Sequence, residues 1–119
     1  MKPIPLSVLK STATVKVCKG VDTYQNQTYD EYTVNRVHLQ PTNEIRKTQD
    51  NTECVLRSLL FVDARISKPF IDWYALLQTA HDLGGDMRVT IRNEEYTVLT
   101  VDALRDDADK LHHFEVGLV

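Results

Sequence analysis

Residues 87–92 read Met-Arg-Val-Thr-Ile-Arg, apolar and polar in strict alternation, and residues 95–101 resume a strand-like run after a polar step at Asn93-Glu94. Successive side chains of a strand point to opposite faces. Met87, Val89 and Ile91 must therefore share one face, and Arg88, Thr90 and Arg92 the other. Two such runs joined by two residues meet as an antiparallel hairpin, because a parallel crossover needs a dozen residues or more. The same texture recurs along the chain. Residues 12–19 set Ala13, Val15 and Val17 against Thr14, Lys16 and Cys18. Residues 29–39 are rich in Tyr, Thr and Val and read as one long strand, or two with a kink, ended by Pro41. Residues 53–63, ECVLRSLLFVD, read as a mostly buried strand. The final run, 112–119, puts Phe114, Val116 and Leu118 on one face.

One stretch has a different period. Pro69 can open a helix over 70–83, where Phe70, Trp73, Tyr74, Leu77 and Ala80 or His81 recur at helical spacing. Gly84-Gly85 supplies its stop. The aromatic stripe either plugs one end of a barrel or anchors a partner through Trp73 and Tyr74, residue types favoured at interface centres. Residues 20–27 and the acidic 102–110 read as loops. Residues 42–52, TNEIRKTQDNT, hold a single apolar residue, Ile45, and read as an exposed loop or hairpin arm. That segment is either a solvated loop or an arm ordered on assembly. Short polar connections make neighbouring strands antiparallel. The expectation is a mainly β fold, a small antiparallel β-barrel or sandwich of about six strands with one inserted α-helix. At 119 residues the chain suits one domain, 1–119, with an arm at 41–53 and a helical insertion at 69–85.

Little in the sequence points to catalysis. A net charge of −3 and a pI near 5.7 argue against a general nucleic-acid binder. Cys18 and Cys54 form no CxxC and read as buried free thiols in a reducing cytosol. The opening MKPIPLSVL reads as no signal peptide, and no later run is long and apolar enough to span a membrane. Asn26-Gln27-Thr28 reads as turn chemistry rather than a glycosylation site. No GxSxG turn or phosphate-binding glycine loop occurs. Asp106, Asp107 and Asp109 lack the alternating ligands and closing Glu of a calcium loop. His112 and His113 are adjacent, so alternation sends them to opposite faces and denies them a shared ion. His113 and Glu115 share a face as contact residues. Catalytic, metal and cofactor residues are expected to be absent.

The opening PIPLSVLKSTATV, the polar QPTNEIRKTQDNTE, the following LLFVDA, and above all the ending DMRVTIRNEEYTVLTVDALRDDADKLHHFEVGLV together resemble the minor capsid proteins of phages and prophages of Gram-positive bacteria. An EYTV strand followed by an LHHxEVGL strand recurs in that family, and the likeness runs over residues 3–119. One departure is the stretch 69–83, where the family has a shorter polar connection. The resemblance implies a structural virion protein of the head–tail junction, similar to siphophage head-closure (stopper) proteins. Implied partners are the portal or adaptor above and the tail or tail terminator below. It also implies self-association into a ring in the virion, a monomer when isolated, and packaged DNA only as passing cargo. The candidate interface residues are Asn43, Glu44, Ile45, Arg46 and Lys47 of the arm, Trp73 and Tyr74 of the helix, and His113 and Glu115 of the last strand.

Overall fold

A computed structural model describes residues 11–47 and 51–119. The opening PIPLSVLK and arm residues 48–50 lie outside the described residues. Six strands close into an antiparallel barrel in the order β1-β2-β5-β8-β7-β6. They are β1 (Ser11–Val21), β2 (Gln27–Pro41), β5 (Ser58–Asp63), β6 (Met87–Ile91), β7 (Glu94–Arg105) and β8 (Leu111–Leu118). Two short strands, β3 (Ile45–Lys47) and β4 (Glu53–Val55), pair with each other in a separate two-stranded sheet among the described residues and form the arm. The helix α1 (Trp73–Asp82) lies between β5 and β6 in the chain.

The core follows the alternation of the sequence. Ala13, Val15 and Val17 of β1, Met87, Val89 and Ile91 of β6, and Phe114, Val116 and Leu118 of β8 all lie in one buried cluster. Where the phase of the apolar residues changes, the backbone bulges. Val34 and Val37 are both in the core but three residues apart, and Arg36 takes up the extra residue at a φ of 61°. Up to Val37 β2 pairs with β1; from Val37 on it also pairs with β5. The run 29–39 is thus one kinked strand. The same phase change between Val98 and Val101 marks a register shift between Val98 and Thr100 on β7. Bulges sharpen strand twist, which a barrel of few strands needs in order to close.

Several boundaries differ from the sequence reading. The β6–β7 turn is Arg92-Asn93, not Asn93-Glu94, since Ile91 pairs with Glu94. Both turn residues have positive φ, as a tight two-residue hairpin requires. β7 continues to Arg105 through residues expected to be loop. Asp102 to Arg105 keep their backbone pairing with β8 while their charged side chains face solvent. The run 53–63 is two strands, not one: Leu56 and Arg57 break it, leaving β4 in the arm and β5 in the barrel.

The helix starts at Trp73 rather than Phe70, because Asp72 is its cap, with Oδ1 accepting from the Ala75 amide at 3.2 Å. It ends as expected, with the Gly84 amide on the His81 carbonyl, the Gly85 amide on the Ala80 carbonyl, and Gly84 at φ 79°. Trp73, Leu77 and Ala80 enter the barrel core, whereas Phe70 and Tyr74 are more than half exposed. α1 packs on β1, β6 and β7.

The alternating strand directions place the connections at two ends. The 22–26 loop, the helical connection 64–86 and the 106–110 loop leave from one end; the arm and the Arg92-Asn93 turn leave from the other.

Candidate functional site

The arm is a small hairpin with two unlike faces. Ile45 pairs with Val55, Arg46 with Cys54 and Lys47 with Glu53. Alternation turns Arg46 and Cys54 toward the barrel, where both are half-buried, and leaves Ile45 and Val55 facing solvent, 63% and 59% exposed. Cys54 is therefore a partly exposed free thiol, while Cys18 is buried as expected. The base of the hairpin is tied by the Thr42 amide on the Arg57 carbonyl at 3.0 Å and the Leu56 amide on the Glu44 carbonyl at 2.9 Å.

Two side chains fix the arm to the outer wall of β7 and β8. Leu56 is 1% exposed yet stands apart from the barrel core. It fills the space over Gly117, where a methyl group would lie 3.0 Å from Leu56 and 2.4 Å from the Thr100 hydroxyl. Nearer the tip, Arg46 donates to Asp102 at 2.9 Å and to Glu44 at 2.8 Å. The Glu44 hydrogen bond, with the charges of Glu44, Asp102 and Glu115 behind it, pushes the Arg46 guanidinium further into its charged form. Each exposed pair of this kind contributes about 0.2–1 kcal/mol, so the pairs set the arm's direction more than the stability of the fold. Beside Leu56, the Arg57 guanidinium stacks 4.5 Å from the Tyr96 ring centroid.

The wall carries a row of rings next to this strut. His38 of β2 stacks on Phe61 of β5 at 5.9 Å, and Phe61 meets His113 of β8 at 6.3 Å. His113 Nε2 lies 3.5 Å from Glu115 Oε1, and Glu115 stands opposite Asp102 in register. Glu44 of the arm and Glu115 of the last strand, far apart in sequence, are thus linked through Arg46 and Asp102, whereas Ile45 and Lys47 lie on the outward face of the arm and Asn43 is exposed ahead of it. His112, expected on the face opposite His113 and apart from it, is the extra residue of a bulge at the start of β8, and the two rings meet edge to face with centroids 5.0 Å apart. Trp73 and Tyr74 belong to the connection that leaves the other end. Trp73 is wholly buried, so this chain already covers the ring, while Tyr74 is 53% exposed. Sequence reasoning missed Leu56, Asp102 and Gly117. Leu56 sat inside an apolar run, and Asp102 gains its partner only through a strand register.

A second set of polar contacts links β2, the start of β6 and β7. The Tyr29 hydroxyl donates to Asp86 at 3.1 Å, and Arg88 joins Asp86 at 3.2 Å and Glu95 at 2.8 Å. Burial, then the Asp86 carboxylate, pushes the Tyr29 phenol above its ordinary range. Among the described residues no three His, Cys, Asp or Glu side chains converge as a metal site, and no helix is long and apolar enough to cross a membrane.

Residues 5–118 match the family model described as minor capsid protein. No curated protein matches the chain.

Proposed function

Since this chain belongs to the minor capsid protein family, and is on that ground a structural component of a bacteriophage virion, we propose that it is the head-closure subunit of the head–tail junction. In this reading residues 1–119 act as one barrel domain, and copies assemble as a ring beneath the portal or its adaptor. The ring retains packaged DNA and presents a docking surface to the tail. The arm is the observation that carries the proposal. A closed barrel leaves no unpaired sheet edge, so contacts between neighbours fall to projections from it. The arm is such a projection, held at a set angle by Leu56 and Arg46, with Ile45 and Val55 facing outward. The net charge of −3 suits a conduit through which DNA passes, because a basic lumen would hold the phosphates. An adaptor would be expected to be mostly helical, so the β architecture favours head closure over that role.

Deleting the gene from its phage and imaging the particles tests the reading. Separate tails, with heads that package DNA and then lose it, are the expected result. Joined, DNA-filled virions would sink the connector role, and tails of abnormal length would indicate a tail terminator instead. Removing residues 42–52 alone is expected to leave the barrel folded and block joining.

A further inference from the structure

Among the described residues six large apolar side chains are exposed, and none of them stands on a barrel strand. Ile45 and Val55 face outward from the arm. Phe70, Tyr74 and Leu83 belong to the helical connection, and Tyr24 to the 22–26 loop at the same end of the barrel. The two groups differ in make. At the helical end Phe70 lies against Phe114 of the core, with ring centroids 6.3 Å apart, and Tyr74 follows the buried Trp73 on the first turn of α1. The core thus continues outward into an exposed aromatic patch. At the arm two aliphatic side chains stand opposite each other on the face turned away from β7 and β8, and Leu56 and Arg46 hold that face in place.

Charge divides in the same way. Segments 22–26, 64–86 and 106–110 hold seven acidic residues against three basic, and the exposed Asp72 and Asp82 bracket α1. The arm, 42–57, holds three of each, with Lys47 beside Ile45 on its outward face, and the Arg92-Asn93 turn adds a cation at that end.

A ring of more than two copies needs two different surfaces on each copy, because a patch that meets itself across a two-fold axis closes at a dimer. We propose that Ile45 and Val55 of one copy seat on Phe70 and Tyr74 of the next, with Lys47 set toward the acidic end that carries Asp72 and Asp82. The inference rests on the ring assembly proposed above and names the surfaces that join it. A second copy suits both patches at once, since each chain carries an aliphatic, cation-bearing face and an aromatic, acidic one. The direction of the arm suits a ring as well. Ile45 and Val55 look sideways off the wall of β7 and β8, whereas Phe70 and Tyr74 lie at the end of the barrel. Joining a side to an end turns each copy relative to the last, and a rotation repeated is what closes a ring. The contact is small. Two aliphatic side chains on two rings fall short of the about 1,200 Å² buried by stable complexes. Purified chains therefore meet only at high concentration, and the virion template completes the ring by holding copies side by side.

Two single-site variants of the whole chain isolate one such contact. Tyr74→Asp removes the ring from the helical end and keeps the arm; Val55→Asp spoils the arm and keeps the helical end. Both positions are exposed, and an acid in the first turn suits a helix N-terminus. Neither variant has both halves, so neither associates with itself, while their mixture makes a single one-to-one contact. Backbone amide NMR of the nitrogen-labelled Tyr74→Asp chain reads this at about 1 mM, a range that reaches weak contacts. The Ile45 and Val55 amides are expected to shift when unlabelled Val55→Asp chain is added, and to stay still when the labelled variant is concentrated alone. Shifts in the labelled variant alone would mean that arms meet arms. An unmoved mixture would mean that the arm serves another virion protein. Either result overturns the proposal. If a variant does not fold, dilution of the unaltered chain decides: the amides of residues 45, 55, 70 and 74 must move with one concentration dependence, and movement of one group alone, or of neither, overturns it. Failure here is distinct from failure of head closure. Separated heads and tails on gene deletion, with no contact between the variants, would keep the role and discard the contact; joined virions with the contact present would do the reverse.

Discussion

Gly117 has no side chain, and the space it leaves on the outer wall is taken by Leu56 of the arm. Any Cβ there meets the Thr100 hydroxyl at 2.4 Å, on a paired strand that cannot move alone. Gly117→Val is therefore expected to cost about 1–3 kcal/mol through overpacking, read as a lower urea midpoint. Trypsin should also cut faster at Lys47 as the arm lifts. Thr100→Ala in the same chain removes the nearest clash and should restore part of the loss. Additive effects of the two substitutions would show that the glycine serves another purpose. Sequence showed that residue 117 lies in a strand, on the face opposite Val116 and Leu118. It could not show that a leucine 61 positions earlier in the chain fills the gap over it, because nothing local links them.

Two elements share one device. The 22–26 and 106–110 loops each begin with an aspartate whose Oδ1 accepts two backbone amides, from Tyr24 and Asn26 in one and Ala108 and Lys110 in the other. Each loop also has a left-handed residue in the same place, Gln25 or Asp109. These bonds, to Asn26 and Lys110 first, hold both carboxyls below the ordinary aspartate range. The folded carboxylate is the favoured form. Its contribution is thus present above the ordinary aspartate pKa of about 3.9 and lost as the pH falls through the lowered value. The Asn26 and Lys110 amide resonances are expected to shift together with the two carboxyls in that acid window. Asp22→Asn and Asp106→Asn should remove the step from their own loop only. The Asp-rich run 106–109 was legible as a loop. Its solvated look hid the extension of β7 to Arg105, because a strand can present charge on one face and still pair its backbone.

At the scale of the molecule, barrel closure decides what is left for assembly. All six strand pairings are satisfied within the chain, and the surface offers the arm at one end and the helical connection at the other. Purified chain is accordingly expected to elute as a monomer in size-exclusion chromatography and to assemble only on its virion template. A stable ring formed by the isolated chain would contradict template-dependent assembly. The sequence by itself determined that about six strands build the fold, the buried face of β1, β6 and β8, and the helix between β5 and β6, though not all their ends, because period, β-branching and glycine caps act over a few residues. Its changes of apolar phase at 34–37 and 98–101 also carried the bulges that bend the barrel shut. Only the tertiary structure decided where the arm lies, that Arg46 meets Asp102, that Trp73 is covered while Tyr74 is not, and that His112 and His113 face each other. Those outcomes depend on register between distant strands. A shift of one residue reverses every side chain, and a local pattern cannot specify its own partner.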